Sequence, residues 1–455
     1  MVDIVVLGGG PAGLAAAGRA AGAGRSVLLL ERGPAVGGMA ASFEVAGVRV
    51  DSGSHRLHPA SPPAVLDLLR DLLGQDLQTR PRNGRLRVYG RWVGFPLRPA
   101  ELARTLPRGA VARIARDAAT RPFARTDPSS YESVLRGTLG PELHRALYGP
   151  YALKLWGLDG TRIDPEQARR RVSAGGVWGI ARKILRSDSS GQGRVFFYPR
   201  RGFGQIVDVL AEAAVKAGAT IETGAEVTSV SPRSDGVTVS TADGRTVQAA
   251  HVLSTVPLPV LARLAGAGVP ATGLSFRAMV LVYLVHAGGR WTSFDAHYLP
   301  GPETPVTRLS EPANYRVSPD DPADRTVLCA EIPCAVGDPV WTATDAELAG
   351  IVRAGLAATG LPPVDLAGVE VRRLPHVYPV YETGYADRLR PLEEWADGLD
   401  RVTTFGRLGL FAHDNTHHAM AEAMDAVDAL RPDGTRDPRL WAAARARFAA
   451  HVVED

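Results

Sequence analysis

The chain has 455 residues, 45% of them hydrophobic and 22% charged, with a formal net charge of +4. That length predicts two domains and a large core that needs no covalent staples, and the near balance of charge excludes nothing but gives no reason to expect nucleic acid as a partner. Two cysteines, Cys329 and Cys334, exclude a disulfide framework, and without a ligand cluster around them they predict no zinc site; a reducing cytoplasm suits them.

The N-terminal stretch reads without a basic leader, and no apolar run approaches the ~20 residues of an integral membrane segment. Residues 2–7 form a short apolar run, read as a buried parallel strand. An alanine- and glycine-rich helix over 11–24 and a second buried strand at 27–30 complete a βαβ unit. An amphipathic helix opened by proline follows at 62–75, then a hairpin through 86–93. Residues 99–190 read as a mostly helical cap. A helix at 205–217 leads into a β-meander over 227–250 and a further strand at 253–255. Alternating apolar residues over 276–335 predict an antiparallel sheet. A helix at 343–359, a strand within 369–385, a strand at 401–405 and a helix at 416–430 close the chain. No linker of low complexity separates domains, so the domains are expected to interleave.

Gly8-Gly9-Gly10-Pro11-Ala12-Gly13 satisfies G-x-G-x-x-G between a strand and a helix, with an acid, Glu31, about 20 residues on. Gly8 permits the tight turn, Gly10 the approach of a pyrophosphate, and Gly13 the close packing of helix on strand. The helix N-terminus favours negative charge, and Glu31 can accept hydrogen bonds from a ribose. This alone leaves NAD and FAD both open.

The segments that follow resemble the amine oxidase, phytoene desaturase and protoporphyrinogen oxidase flavoproteins. Glu31-Arg32-Gly33-Pro34-Ala35-Val36-Gly37-Gly38-Met39 is similar to their second glycine signature, and Asp51-Ser52-Gly53-Ser54-His55-Arg56 to the segment that passes the isoalloxazine. Gly224-Ala225-Glu226-Val227 is similar to the strand that holds adenine. Phe405-Gly406-Arg407-Leu408-Gly409 with Asp414-Asn415-Thr416 resembles the last flavin motif, where a helix N-terminus faces the pyrimidine end of the ring. Tyr148–Gly157, Phe197–Gly204 and Tyr378–Tyr385 resemble the branch that includes UDP-galactopyranose mutase and the mutase-like oxidoreductases.

The resemblance implies an α/β fold: a Rossmann-like FAD-binding domain over 1–95, 195–270 and 396–455, interleaved with a substrate domain of antiparallel sheet and helical cap over 96–194 and 271–395. It implies FAD, held by Gly8, Gly10, Pro11, Ala12, Gly13, Glu31, Arg32, Gly37, Gly38, Met39, Ser54, His55, Val227, Gly406, Arg407, Asn415 and Thr416. No cysteine lies in a flavin motif, so non-covalent FAD is expected. His55, Arg56, Lys154 and Tyr381 are the catalytic candidates, with Tyr151, Trp156, Tyr198, Arg308 and His413 as further pocket-lining residues. Trp156 and Tyr151 read equally well as core aromatics, and Arg169-Arg170-Arg171 as a solvated face. His413, His417 and His418 fall inside a flavin motif, and no metal is expected.

Three activities fit these readings. The first is an oxidoreductase passing hydride from a small-molecule substrate, a sugar or secondary-metabolite intermediate, to flavin N5, with oxygen or another acceptor reoxidising the flavin because no second dinucleotide motif is apparent. The second is a redox-neutral sugar mutase. The third is a flavin-binding protein without turnover.

Overall fold

The computed structural model describes residues 1–120, 128–171, 195–269 and 273–453. Parts of the expected cap, 121–127 and 172–190, lie outside the described residues. The strand Val2–Leu7 sits at the centre of a seven-stranded sheet, where Val5 and Val6 are fully buried. An uninterrupted apolar run suits a strand covered on both faces. It pairs in parallel with Val27–Leu30 on one edge and Thr246–Ser254 on the other. The helices Pro11–Gly22, Gln205–Lys216 and Thr416–Asp428 cover one face. Gly18 lets the first two of them meet closely: a Cβ there would stand 3.6 Å from Ala214 Cα.

The strand expected at 253–255 is instead the end of the single strand Thr246–Ser254. Its early residues pair antiparallel with Val237–Thr241. Once that partner ends, Val402–Thr404 takes over in parallel beside Val252, Leu253 and Ser254. One strand therefore brings the end of the chain back to the first glycine turn.

A second seven-stranded sheet runs in the order Leu366–Pro379, Phe276–Ala287, Arg325–Cys334, Arg308–Ser310, Ala296–Tyr298, Gly84–Val88, Arg91–Phe95. The period of two divides Phe276–Ala287 between two cores. Val280, Val282 and Leu284 pack with Leu348, Val352 and Leu356 of the helix Asp345–Thr359, whereas Met279, Leu281, Tyr283 and Val285 face Val48, Val50 and Met39. The hairpin Gly84–Val88 with Arg91–Phe95 joins this sheet by pairing with Ala296–Tyr298, although it precedes residue 95 in the chain. The described part of the cap comprises Pro99–Thr105, Arg108–Thr120, Tyr131–Leu139, Pro141–Leu143, a π turn at His144–Tyr148, Gly149–Trp156 and Pro165–Arg171.

Two further helices, Tyr385–Asp397 and Pro438–Ala449, have no counterpart in the sequence reading. In the second, alanines separate the buried Trp441, Ala444 and Phe448, so the apolar stripe has little contrast. Among the described residues, no helix is long and apolar enough to cross a membrane.

Candidate functional site

The site is built where three chain segments meet beside the strand Val2–Leu7. Gly8 adopts a left-handed φ of +101°, and a Cβ there would lie 2.3 Å from Thr255 Oγ1. A Cβ on Gly13 would lie 1.9 Å from the Gly8 carbonyl oxygen, so only glycine permits this helix–strand approach. Gly10 differs: its Cβ position meets nothing within 4 Å. It caps the helix Pro11–Gly22, whose Pro11 costs nothing at a position lacking an intrahelical N–H bond.

The second glycine turn faces the first. Gly37 N–H donates to Gly9 O at 2.7 Å, and the Gly38 Cβ position is 3.6 Å from Gly10 Cα. Glu31 ties the loops together, accepting from Gly9 N–H at 2.7 Å and Gly33 N–H at 2.6 Å. Each of its oxygens keeps a second lone pair for another donor. Arg32 is exposed, and Met39 is half-buried against the core facing the second sheet. Gly224 and Ala225 donate to Gly33 O and Glu31 O at 2.8 and 2.9 Å, which sets Val227 alongside.

The third segment returns along Val402–Thr404. Gly406, φ +80°, would bring a Cβ within 3.4 Å of Ala12 Cβ, and its N–H donates to Glu422 Oε2 at 2.7 Å. The helix Thr416–Asp428 follows, with Asn415 as its N-cap residue. The N-terminus of the helix Pro11–Gly22 thus borders the open space beside Gly10, where its partial positive charge suits phosphate oxygens. The lack of any neighbour at the Gly10 Cβ position, with backbone turns on either side, fits a dinucleotide pyrophosphate.

At the other end lies the segment from Asp51 to Arg56. Asp51, 1% exposed, accepts from Ser42 Oγ at 2.6 Å, from Phe203 N–H at 2.9 Å and from Tyr198 OH. Gly53 turns with φ +96°, its Cβ position 3.8 Å from Leu281 of the second sheet. Ser54 N–H donates to Glu331 Oε1 at 2.8 Å, and its hydroxyl meets Tyr315 OH. The His55 ring stacks on Phe203 with centroids 5.1 Å apart, and Nε2–H donates to Ser52 O at 3.1 Å, which leaves Nδ1 as the acceptor. Burial draws the His55 pKa down and keeps the ring neutral, against the pull of Asp51.

The arginines beside this segment are charge-paired. Arg56 bonds Asp295 Oδ1 and Tyr298 OH, both at 3.0 Å, with its guanidinium over the Phe196 and Tyr315 rings. Arg308 bonds Glu331 Oε1 at 2.7 Å and Ser54 O at 3.0 Å.

Of the remaining candidates, Lys154 Nζ donates to Gly301 O at 2.9 Å, Val306 O at 2.7 Å and Leu299 O. Burial draws its pKa down to about 7, with Glu303 acting against that. Three carbonyl acceptors call for the three donors of an ammonium, so the cage works in the same direction as Glu303. Lys154 fastens the cap helix Gly149–Trp156 to the second sheet. Tyr381 is 3% exposed, donates to Phe411 O at 3.0 Å and stacks on Tyr385 at 4.0 Å.

Trp156, Tyr378 and Tyr381 surround His413, with centroids 5.1, 6.1 and 4.7 Å from it, and the Arg407 guanidinium covers Tyr378 at 4.9 Å. Tyr151 packs at the edge of the cap core and Tyr198 is wholly buried on Asp51. Arg169 and Arg170 pair with Glu166. His413 stands apart from His417 and His418 in this aromatic cluster. His418 Nδ1 instead accepts Asn415 N–H at 3.2 Å, so its lone pair is committed to the helix cap.

Sequence reading missed Asp51 as an anchor, together with Glu331, Asp295, Tyr298, Tyr315, Asp414, Glu422 and His451. The available signal was that five of these are acids, all but Asp414 next to apolar residues, where a carboxylate needs a partner.

This fold, with a two-layer dinucleotide cradle and a sheet-and-cap second unit, is that of a flavin-binding oxidoreductase. The flavin-containing amine oxidoreductase model matches residues 11–403, and the chain belongs to that family. Membership makes it a flavin-containing oxidoreductase. Its structure is similar to that of reduced UDP-galactopyranose mutase, with TM-score 0.80, 22% identity and 100% of both chains covered. A protein assigned as a protoporphyrinogen oxidase from Exiguobacterium sp. 255-15 gives TM-score 0.74 and 19% identity over 94% of this chain and 98% of that one. Cyclohexylamine oxidase from Brevibacterium oxydans IH-35A gives 0.69 and 16% over 94% and 98%. No curated protein sequence matches the chain.

Proposed function

We propose that the chain binds FAD non-covalently and oxidises a small-molecule substrate, a sugar or a secondary-metabolite intermediate, with oxygen as an electron acceptor. The observation that carries the cofactor reading is the open space beside Gly10, bordered by two glycine turns and the N-terminus of the helix Pro11–Gly22. Gly8, Gly10, Pro11, Ala12 and Gly13 hold the pyrophosphate in this reading, Glu31 and Arg32 the adenosine ribose, and Val227 the adenine. Gly37, Gly38 and Met39 lie along the ribityl chain, with Ser54, His55, Gly406, Arg407, Asn415 and Thr416 around the ring. Both cysteines are buried on the Arg325–Cys334 strand, away from these segments in the chain, which supports non-covalent attachment.

Bound flavin supplies a hydride acceptor at N5. The chain orients the substrate and handles its proton. His55, neutral and with Nδ1 free of the Ser52 hydrogen bond, is the proposed proton acceptor. Arg56 positions Tyr298 and Tyr315. Trp156, Tyr378 and Tyr381 form an aromatic wall, and Lys154 serves as a latch holding the cap.

The charge pattern favours oxidation over redox-neutral sugar rearrangement. Arg56 and Arg308, the buried cations beside the flavin segment, are each neutralised by a carboxylate, so they offer no net charge to a nucleotide diphosphate. The mutase reading is favoured by one observation, full-length similarity to reduced UDP-galactopyranose mutase. An anaerobic spectrum separates the two. Substrate that bleaches the oxidised flavin supports the oxidase. Flavin that resists every sugar and amine, yet supports isomerisation once reduced by dithionite, overturns it in favour of the mutase. A protein that cannot be loaded with FAD overturns both.

A further inference from the structure

One buried cluster has no part in the chemistry above. Asp414, 3% exposed, within the last flavin motif, stands with Glu422, 0% exposed, on the helix that follows it. His451 follows the helix Pro438–Ala449, which docks through Trp441, Ala444 and Phe448 on the same core as Pro11–Gly22. Its Nδ1 lies 3.0 Å from Asp414 Oδ1 and 3.5 Å from Glu422 Oε1, and its ring stacks on His418 with centroids 4.2 Å apart. Two carboxylates in so dry a place need a shared counter-charge or proton. His451, with 17% of its side chain exposed, connects them to solvent.

The cluster touches the cofactor cradle on one side and the cap on the other. Glu422 Oε2 receives the Gly406 N–H at 2.7 Å, and Gly406 abuts Ala12 in the first turn of the pyrophosphate helix. Two residues past His451, Val453 N–H donates to Arg170 O at 2.8 Å, on the cap helix Pro165–Arg171. Arg170 also faces Asp414, Tyr381 and Glu166.

We propose that His451 is a positioning residue: set between Asp414 and Glu422, it holds Glu422 against the flavin-binding turn at Gly406, and the segment it anchors straps the helical cap to that turn. This rests on the flavin reading above. The charges agree with the geometry. Burial and the Asp414 charge push Glu422 up. Burial opposes ionisation of Asp414, yet its hydrogen bond to His451 and the charge of His451 hold it low. Burial also opposes the His451 charge, but its hydrogen bond to Asp414 and the nearby Asp414 and Glu422 carboxylates lift it to about 9. The groups facing the pair are therefore His418, His451 and, from the cap, Arg170 with Glu166 and Tyr381. As pH rises through about 9, His451 loses its proton, the two acids lose their counter-charge, and the grip on Gly406 weakens.

The test begins with the FAD content and FAD dissociation constant of the full chain. Wild-type protein that binds no FAD defeats the flavin reading itself. Given binding, His451→Ala, His451→Gln and a chain ending at Ala450 are titrated with FAD between pH 6.5 and 9.5, and limited proteolysis follows release of the cap. Wild-type affinity is expected to fall at least tenfold across that range. His451→Ala is expected to bind at least tenfold more weakly at pH 6.5, with a flat pH profile and faster cleavage in the cap. His451→Gln, a neutral donor, is expected to recover part of the affinity. Where His451→Ala does not fold, Glu422→Gln keeps an acceptor for Gly406 and is expected to flatten the pH profile. A His451→Ala protein with wild-type affinity and wild-type pH profile overturns the proposal. So does a stoichiometric metal whose removal by chelator reproduces the loss, because the cluster is then a cation site.

Discussion

Replacing Asp51 by alanine tests the frame beneath the flavin segment. The carboxylate accepts from Ser42 Oγ, Phe203 N–H and Tyr198 OH. The Tyr198 side chain is fully buried, and the Phe203 N–H bond is buried with it. Alanine strands both donors, while the part-buried Ser42 hydroxyl exchanges its lost acceptor for solvent and still receives the Gly204 N–H at 2.7 Å. Each stranded buried donor costs about 1–3 kcal/mol, so Asp51→Ala is expected to lose about 2–6 kcal/mol. Asp51→Asn keeps one acceptor oxygen, and Tyr198 can turn its hydroxyl to accept from the amide; its loss should be about 1–2 kcal/mol. Tyr283 OH bonds the Asp51 main-chain carbonyl at 2.6 Å and is retained in both variants. Guanidinium unfolding, followed by tryptophan emission and by release of flavin fluorescence, measures the loss. Flavin release is expected to precede the tryptophan transition in Asp51→Ala, because the Gly53 turn is freed first. An alanine variant within about 1 kcal/mol of wild type, or no difference between alanine and asparagine, refutes the view of Asp51 as a buried hub.

Gly10→Ala is expected to leave apo-protein unfolding unchanged while weakening FAD at least tenfold, because its Cβ meets only the cofactor space. Gly13→Ala should lower both, losing about 1–3 kcal/mol of stability from overpacking, and equal effects of the two on apo unfolding would contradict the geometry. Glu331→Ala leaves Arg308 buried without its counter-charge and should cost about 3–5 kcal/mol by denaturant unfolding, with Glu331→Gln in between. In the pH dependence of stability, His451, ordinarily near 6.5, binds its proton more tightly when folded; its contribution is complete below 6.5 and lost as pH rises through about 9. Glu422 is raised as well and acts in the same direction, so the unfolding midpoint should fall from pH 6.5 to 9 and flatten in Glu422→Gln.

Residue order alone determined the first βαβ unit, because a continuous apolar run, a glycine turn and an alanine-rich helix are local features with few other conformations to adopt. The second glycine signature and the segment around Asn415 were legible as motifs for the same reason: each is a backbone device whose glycines sit at fixed spacing. Tertiary structure decided what those devices meet. Lys154 and Tyr381 read as catalytic candidates in the chain, but folding gives Lys154 a cage of carbonyls from residues 299–306 and commits Tyr381 to Phe411. The three histidines of the last motif read as one cluster, yet His413 lies among Trp156 of the cap and Tyr378 and Tyr381 at the end of the second sheet, while His418 caps a helix. Thr246–Ser254 changes partners along one edge, which no periodicity reveals. Asp51 with Tyr198, Glu331 with Ser54, and Glu422 with Gly406 join positions far apart in the chain. A buried acid declares in the sequence that it needs a partner, and only the packed fold supplies the partner's name.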